Sequence, residues 1–160
     1  MFTDWSLIAR AAEELSGLLA GSRVREVGQL GDGRFALVLW KAGREDCLAV
    51  DVFAPTPLVT LETDLPVVQA DPGFFRSAAA TLSGMPLTQV KARRGDRMIC
   101  VEFSRRSRFG VENGASLIFE LVPRFGNIIL LKGGTIVAAL KEFSFAQNAS
   151  RQVAAGHAYE

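Results

Sequence analysis

KARRGDRMICVEFSRRSRFGVENGASLIFELVPRFGNIILL, residues 91–131, is the stretch whose reading decides the fold. Its apolar runs predict three β-strands, over 97–103, 116–122 and 127–131, joined by basic and turn-rich connections. Asn113-Gly114 is the tight-turn signal ahead of the second strand. Between residues 91 and 108 stand seven bases (Lys91, Arg93, Arg94, Arg97, Arg105, Arg106 and Arg108) against two acids, a local charge of +5 on a chain whose remainder carries −4. A concentration of this kind predicts either the footprint of a polyanion or a set of solvated strand ends.

Outward from that stretch, helical periodicity comes first. Asp4 is placed as an N-cap, and Ile8, Ala11, Ala12, Leu15, Leu18 and Leu19 fall on one stripe of an amphipathic helix ended by Gly21. Strands follow over 23–30, 35–40 and 47–53, with Gly31-Asp32-Gly33 and a polar loop around Gly43 as the turns of a meander. Residues 54–70 hold Pro55, Pro57 and Pro66, so 58–61 is expected to be a short edge strand. Asp71 and Pro72 are expected to start a second helix, with Phe74, Phe75, Ala78, Ala79 and Leu82 inward and Gly84 at its end. Further strands are expected over 87–91 and 136–140, the last reached through Lys132-Gly133-Gly134. The tail from Lys141 reads as polar and Ala-rich. This order predicts an α+β domain of two packed, mainly antiparallel sheets flanked by helices.

The 160 residues are expected to form a single domain, and 49% of them are hydrophobic, which excludes intrinsic disorder. No apolar run reaches the length of a transmembrane helix, and the N-terminus lacks the basic start of a signal peptide, so no membrane partner is expected. Cys47 and Cys100, in apolar surroundings without metal-ligand spacing, are expected to be reduced core residues. With His157 the only histidine, a His-based triad or metal site has almost nothing to be built from, and Gly31-Asp32-Gly33 lacks the Gly-Lys-Ser/Thr of a phosphate loop. No enzymatic activity, metal or cofactor is expected, and the localisation expected is cytoplasmic.

Several ordered blocks carry a family resemblance. Asp4 opens the first helix; Leu19-Ala20-Gly21-Ser22-Arg23-Val24 is similar to Leu-x-Gly-x-Arg-Val; Asp96-Arg97-Met98-Ile99 is similar to Asp-Arg-Ile/Leu at a strand start. Glu120-Leu121-Val122-Pro123-Arg124-Phe125-Gly126-Asn127-Ile128-Ile129-Leu130 is similar to Glu-Leu-Met-Gly-Arg-His/Tyr-Ser-Asn-Ile-Ile-Leu, and Arg151, Gly156 and Tyr159 to Arg-x-x-Leu-Pro-Gly-x-x-Tyr. In this set the chain resembles the N-terminal domain of the NFACT family, which includes RqcH, NEMF and the fibronectin-binding protein A-like proteins. The resemblance implies a fold like the N-terminal domain of formamidopyrimidine-DNA glycosylases and a role in ribosome-associated quality control. The partners implied are tRNA and, through a longer multidomain parent, the obstructed large ribosomal subunit. It assigns tRNA contact to Asp4, Asp96, Arg97 and Arg124. Beside it, the basic side chains of Arg93, Arg94, Arg105, Arg106 and Arg108 are candidate phosphate contacts, with Phe109 and Phe125 as stacking platforms or turn-packing residues. Asp96 is expected to orient the Arg97 fork or to read a base or ribose, and a structural salt bridge is the alternative for the pair. The family's Leu-Arg-Lys-His-Leu run is replaced by Ser77-Ala78-Ala79-Ala80-Thr81-Leu82, Pro123 stands for Gly, and Phe125-Gly126 for His/Tyr-Ser. The glycosylases' N-terminal Pro-Glu is absent, which excludes their chemistry. Two other readings stay open: a cell-surface adhesin for fibronectin or fibrinogen, and a structural scaffold.

Overall fold

The computed structural model describes residues 5–63, 67–68, 73–93, 96–106, 110, 112–142 and 153–159. Helix α1 spans Trp5–Leu19 and α2 spans Phe74–Leu82. The strands are β1 Arg23–Leu30, β2 Phe35–Lys41, β3 Arg44–Asp51, β4 Leu58–Glu62, β5 Val67–Val68, β6 Leu87–Ala92, β7 Met98–Arg106, β8 Glu112–Glu120, β9 Asn127–Lys132 and β10 Thr135–Ala139. They form two five-stranded sheets, in the orders β4-β3-β2-β1-β5 and β10-β9-β8-β7-β6, every pair antiparallel.

Alternation along the central strands explains why the sheets face each other. Phe35, Leu37 and Leu39 of β2 and Ile128 and Leu130 of β9 enter one shared core with Ile8, Ala12 and Leu19 of α1 and Phe74, Phe75, Ala78 and Leu82 of α2. The intervening residues are buried too: Ala36 and Val38 pack with Cys47 and Ala49, and Ile129 and Leu131 with Met98, Cys100, Ile118 and Val153. Strands covered on both faces read as unbroken apolar runs, as these do. Phe35 joins the layers, its ring centroid 6.0 Å from Phe74, 6.1 Å from Phe75 and 6.0 Å from Phe119.

The sheets are stitched at two corners. At one, Val24 N–H donates to Met85 O, Gly84 N–H to Val24 O and Leu87 N–H to Ser22 O, at 3.0, 2.9 and 2.7 Å. At the other, Arg124 N–H donates to Pro55 O at 3.1 Å and the Lys141 ammonium to Val52 O at 3.1 Å. Gly126 lies so close to this corner that a Cβ there would sit 2.9 Å from Pro57 Cγ and 3.0 Å from both Cβ and the carbonyl oxygen of Val52.

Three expectations are corrected. Asn113 and Gly114 make no turn; they lie inside β8, opposite Arg105 and Ser104, and the β7–β8 connection falls between Arg106 and Glu112. Leu18 is 55% exposed, because the face of α1 that packs on β6 is narrower than the predicted stripe. Helix α2 begins at Phe74 with Gly73 as its N-cap residue; Asp71 and Pro72 lie outside the described residues, as does Asp4. The tail is also less polar in effect than it reads. Val153 is fully buried, Thr135 bridges to Ala158, and Ile136 N–H, Gly156 N–H and Tyr159 N–H donate to His157 O, Ile136 O and Gly134 O.

Two expected outcomes follow from this packing. Gly126→Ala should lower stability by about 1–3 kcal/mol, because the atoms it meets are a proline ring and backbone rather than flexible side-chain ends; urea unfolding with an unchanged midpoint would contradict the contact. Cys47 and Cys100 are buried free thiols in separate clusters, and burial pushes both thiol pKa values up. A thiol reagent should therefore label neither in the native chain and both after unfolding without reductant.

Candidate nucleic-acid interface

The Asp-Arg pair sits where β7 begins. Leu121 N–H donates to Arg97 O at 2.7 Å, which carries the β7–β8 ladder one step beyond both strands and fixes the Arg97 backbone. Asp96 N–H closes a turn on Arg93 O at 3.1 Å. Both side chains are exposed. The Asp96 carboxylate lies 3.6 Å from the Arg93 guanidinium, so its partner is Arg93 and not Arg97, and an exposed pair of this length contributes little stability. Among the described residues no carboxylate lies within ion-pair distance of the Arg97 fork.

Around this pair the fold assembles an open cleft of about 370 Å³, lined by Arg93, Asp96, Arg97, Met98, Glu120, Val122, Phe125 and Tyr159. Register brings Glu120 there, since it pairs with Met98 across the ladder and with Asn127 on the other side. Tyr159 O–H donates to Glu120 Oε2 at 2.6 Å, so the tail forms part of the wall. The opposite wall is the turn 122–125. Phe125 N–H donates to Val122 O at 3.0 Å, Pro123 fills the second position, and Arg124 has φ 68°: the signature of a type II turn. Phe125 is left 76% exposed at the mouth. Below the turn Asn127, 2% exposed, accepts from Lys141 N–H and Ile128 N–H at 2.9 Å each and donates to Lys141 O at 2.9 Å, which locks the turn to the end of β10.

Among the described residues the clustered bases are spread over more than one surface. Lys91 is taken up by Glu102 at 2.7 Å, and that bond raises its pKa. Desolvation pushes the Glu102 carboxyl up, but hydrogen bonds from Gln89 and Lys91 outweigh it and hold it below the usual carboxylate value. Arg93 and Arg97 belong to the cleft. Arg105 lies at the far end of β7, roughly 26 Å from Arg97 at the rise of an extended strand, with its fork on Gly84 O at 2.8 Å. Arg106 ends β7, and Arg94, Arg108 and Phe109 lie outside the described residues. Arg124 is exposed on the turn beside the cleft without lining it.

Glu120 and Tyr159 are the cleft residues that reading the sequence for charge misses. The signal was there, in the Glu-Leu-Val-Pro block and in the chain's only tyrosine, but only strand register brings them to the Asp-Arg pair. The charged lining is balanced, with Arg93 and Arg97 against Asp96 and Glu120; a ligand with both acceptors and donors fits it, since Arg97 offers a planar fork, the carboxylates accept, and Phe125 exposes its ring. Among the described residues there is no cluster of side chains fit to hold a metal ion. Arg124 holds a left-handed backbone that costs a non-glycine residue about 1–2 kcal/mol. Arg124→Gly should therefore leave thermal stability equal or higher, and a clear drop in melting temperature would mean that its side chain has a structural partner.

The solved structures place the fold among known domains. The N-terminal domain of fibronectin-binding protein PavA from Streptococcus pneumoniae superposes with TM-score 0.85 at 21% identity, over 98% of this chain and 60% of that one. The N-terminal part of the fibronectin/fibrinogen-binding protein of Streptococcus suis gives 0.82 at 22%, over 96% and 59%. The fibrinogen binding protein from Staphylococcus aureus gives 0.76 at 21%, over 100% and 56%. The chain thus spans less than two thirds of the length of each of these structures. No curated protein matches the sequence significantly. The family model for NFACT N-terminal and middle domains matches residues 4–160, and the chain belongs to that family.

Proposed function

We propose that this domain is an RNA-binding module that engages tRNA, and that within a longer parent it does so on obstructed large ribosomal subunits in the cytoplasm. The observation that carries the reading is the cleft at the start of β7. It combines an exposed guanidinium fork, a carboxylate beside it and a bare phenyl ring at one mouth. Single-stranded RNA is recognised by such sets: a cation for phosphate, an acceptor for a ribose hydroxyl or base amine, and a ring for stacking. Asp96 would repel a phosphate, so its place is to hold Arg93 and to accept from sugar or base. The role we assign is binding: among the described residues the cleft lining holds no serine, threonine, cysteine or histidine.

A second reading has a specific observation behind it. The similar structures bear names that assign fibronectin or fibrinogen binding to those proteins. An adhesin would use an extended edge or an apolar face, and the guanidinium-lined cleft gives such a ligand no particular match. No helix among the described residues is long and apolar enough to cross a membrane.

Asp96→Ala and Arg97→Ala should each weaken tRNA binding several-fold while shifting stability by less than about 0.5 kcal/mol, as surface substitutions without a buried partner do. The check is tRNA retention by the purified chain alongside its thermal melt. Normal retention sinks the assignment of this pair, and a joint loss of retention and stability makes the pair structural. Retention of fibronectin with no retention of tRNA favours the adhesin.

A further inference from the structure

At the end of β7 opposite the cleft, the loop after α2 presents one carbonyl to two cations. Arg23 donates from Nη1 to Gly84 O at 3.1 Å, and Arg105 donates from Nη2 to the same oxygen at 2.8 Å. Both side chains are exposed, and among the described residues neither has a carboxylate within ion-pair distance. Each guanidinium carries five N–H donors, and this carbonyl occupies one from each. Beside them the Arg25 guanidinium lies 5.1 Å from the centroid of the Trp40 ring and 3.2 Å from Glu45, with its side chain 58% exposed. Arg23, Val24, Arg25, Trp40 and Gly84 line an open concavity of about 390 Å³.

The carbonyl's two lone pairs accept both donors. The second guanidinium adds like-charge repulsion, which an anion seated against the outward-facing N–H groups would remove. The Arg25–Trp40 pair adds a partly exposed cation beside an aromatic ring, a combination against which nucleobases pack. We propose that this corner is a second RNA contact: Arg23 and Arg105 grip one backbone phosphate, and the Arg25–Trp40 pair supports a neighbouring base or ribose. The inference rests on the RNA-binding reading above and extends it from one cleft to two contacts, one at each end of β7. Their separation is too large for one phosphate to serve both, so an RNA that touches both must run along the domain.

The test is tRNA binding by the 160-residue chain across a salt series. The variants are the pair Arg23→Gln/Arg105→Gln, the pair Arg23→Lys/Arg105→Lys, and Arg97→Gln, each checked by thermal melting. Each phosphate contact adds a little under one to the slope of log affinity against log salt. The Gln pair should flatten that slope by about one and weaken binding roughly tenfold at low salt, while the Lys pair keeps the slope because the charges remain. Should the Gln pair melt early, the single change Arg23→Gln carries the same test with a smaller change in slope. If Arg97→Gln weakens binding and the Gln pair leaves slope and affinity unchanged, the second contact is wrong and the function stands. If the unaltered chain binds no tRNA, both fall. If polyglutamate displaces the RNA from this corner as well as polyuridylate does, the corner is a site for acidic protein and the proposal is overturned.

Discussion

The approach of Gly126 to Val52 and Pro57 sets the position of everything around the cleft. With no Cβ, the start of β9 lies directly on the segment that leaves β3, at distances a side chain would forbid. That contact brings Arg124 N–H to Pro55 O and lets Lys141, whose pKa is pushed down by burial, reach Val52 O while its ammonium lies 4.9 Å from the Phe53 ring centroid. The turn 122–125 is thereby held at both ends, by the corner below and by Asn127 beside it. The family block has Ser where this chain has Gly126; a Ser here would meet the Pro57 ring, so the glycine and the tight corner belong together. The exchange of Gly for Pro at 123 has its own logic. Proline presets the second position of a type II turn, and the left-handed third position then falls on Arg124. Such strain persists only where the surroundings over-determine the backbone, as the corner and Asn127 do.

Electrostatics looks different in sequence and in space. A run of bases on a strand and its connections is divided by two geometric facts: side chains alternate faces, and nine residues of β7 set its ends far apart. One base is neutralised across the sheet by Glu102, others stand at opposite ends, and a helix-proximal carbonyl gathers Arg105 with Arg23, a residue more than sixty positions earlier in the chain. Clustered charge in a sequence therefore says little about which of the bases share a surface.

Much of the fold was legible because it rests on local rules. β1 covers the predicted span, β2, β6 and β9 depart from theirs by a residue, and the apolar runs gave the two-sheet core without any knowledge of pairing. What failed depended on partners. Asn113-Gly114 favours a turn only when the flanking residues end their strands, and here Phe103 to Arg106 continue the ladder past them, with Gly114 close under the Phe103 carbonyl. Leu18 fits helical periodicity, but periodicity reports only a stripe and not how much of it a neighbour covers. The tail docks through Val153 and Tyr159 and through backbone bonds, which no side-chain pattern announces. For the candidate site the same division holds. The exposure of Asp96 and Arg97 at a strand entrance was readable, whereas Arg93 as the partner of Asp96, and Glu120 and Tyr159 as cleft walls, required register.

The cleft combines elements of unequal rigidity. Arg97 and Glu120 hang from a continuous ladder, Phe125 from a strained turn braced by a buried Asn, and Tyr159 from the tail that packs on β10. A ligand that engages all of them reads the docking of the tail as well as the sheet. The hydrogen bond from Tyr159 to Glu120 is the link: it ties the tail to the one carboxylate set deep at the end of β8, so any group competing for that carboxylate acts on the tail at the same time. The tail's bonds fall on Gly134, Thr135 and Ile136 at the start of β10, and the Asn127–Lys141 bonds lie at the other end, so tail and turn are braced at opposite ends of the β9–β10 pair. The candidate surface is thus assembled from the ends of strands, while the stability that holds it comes from the apolar layers between and outside the sheets.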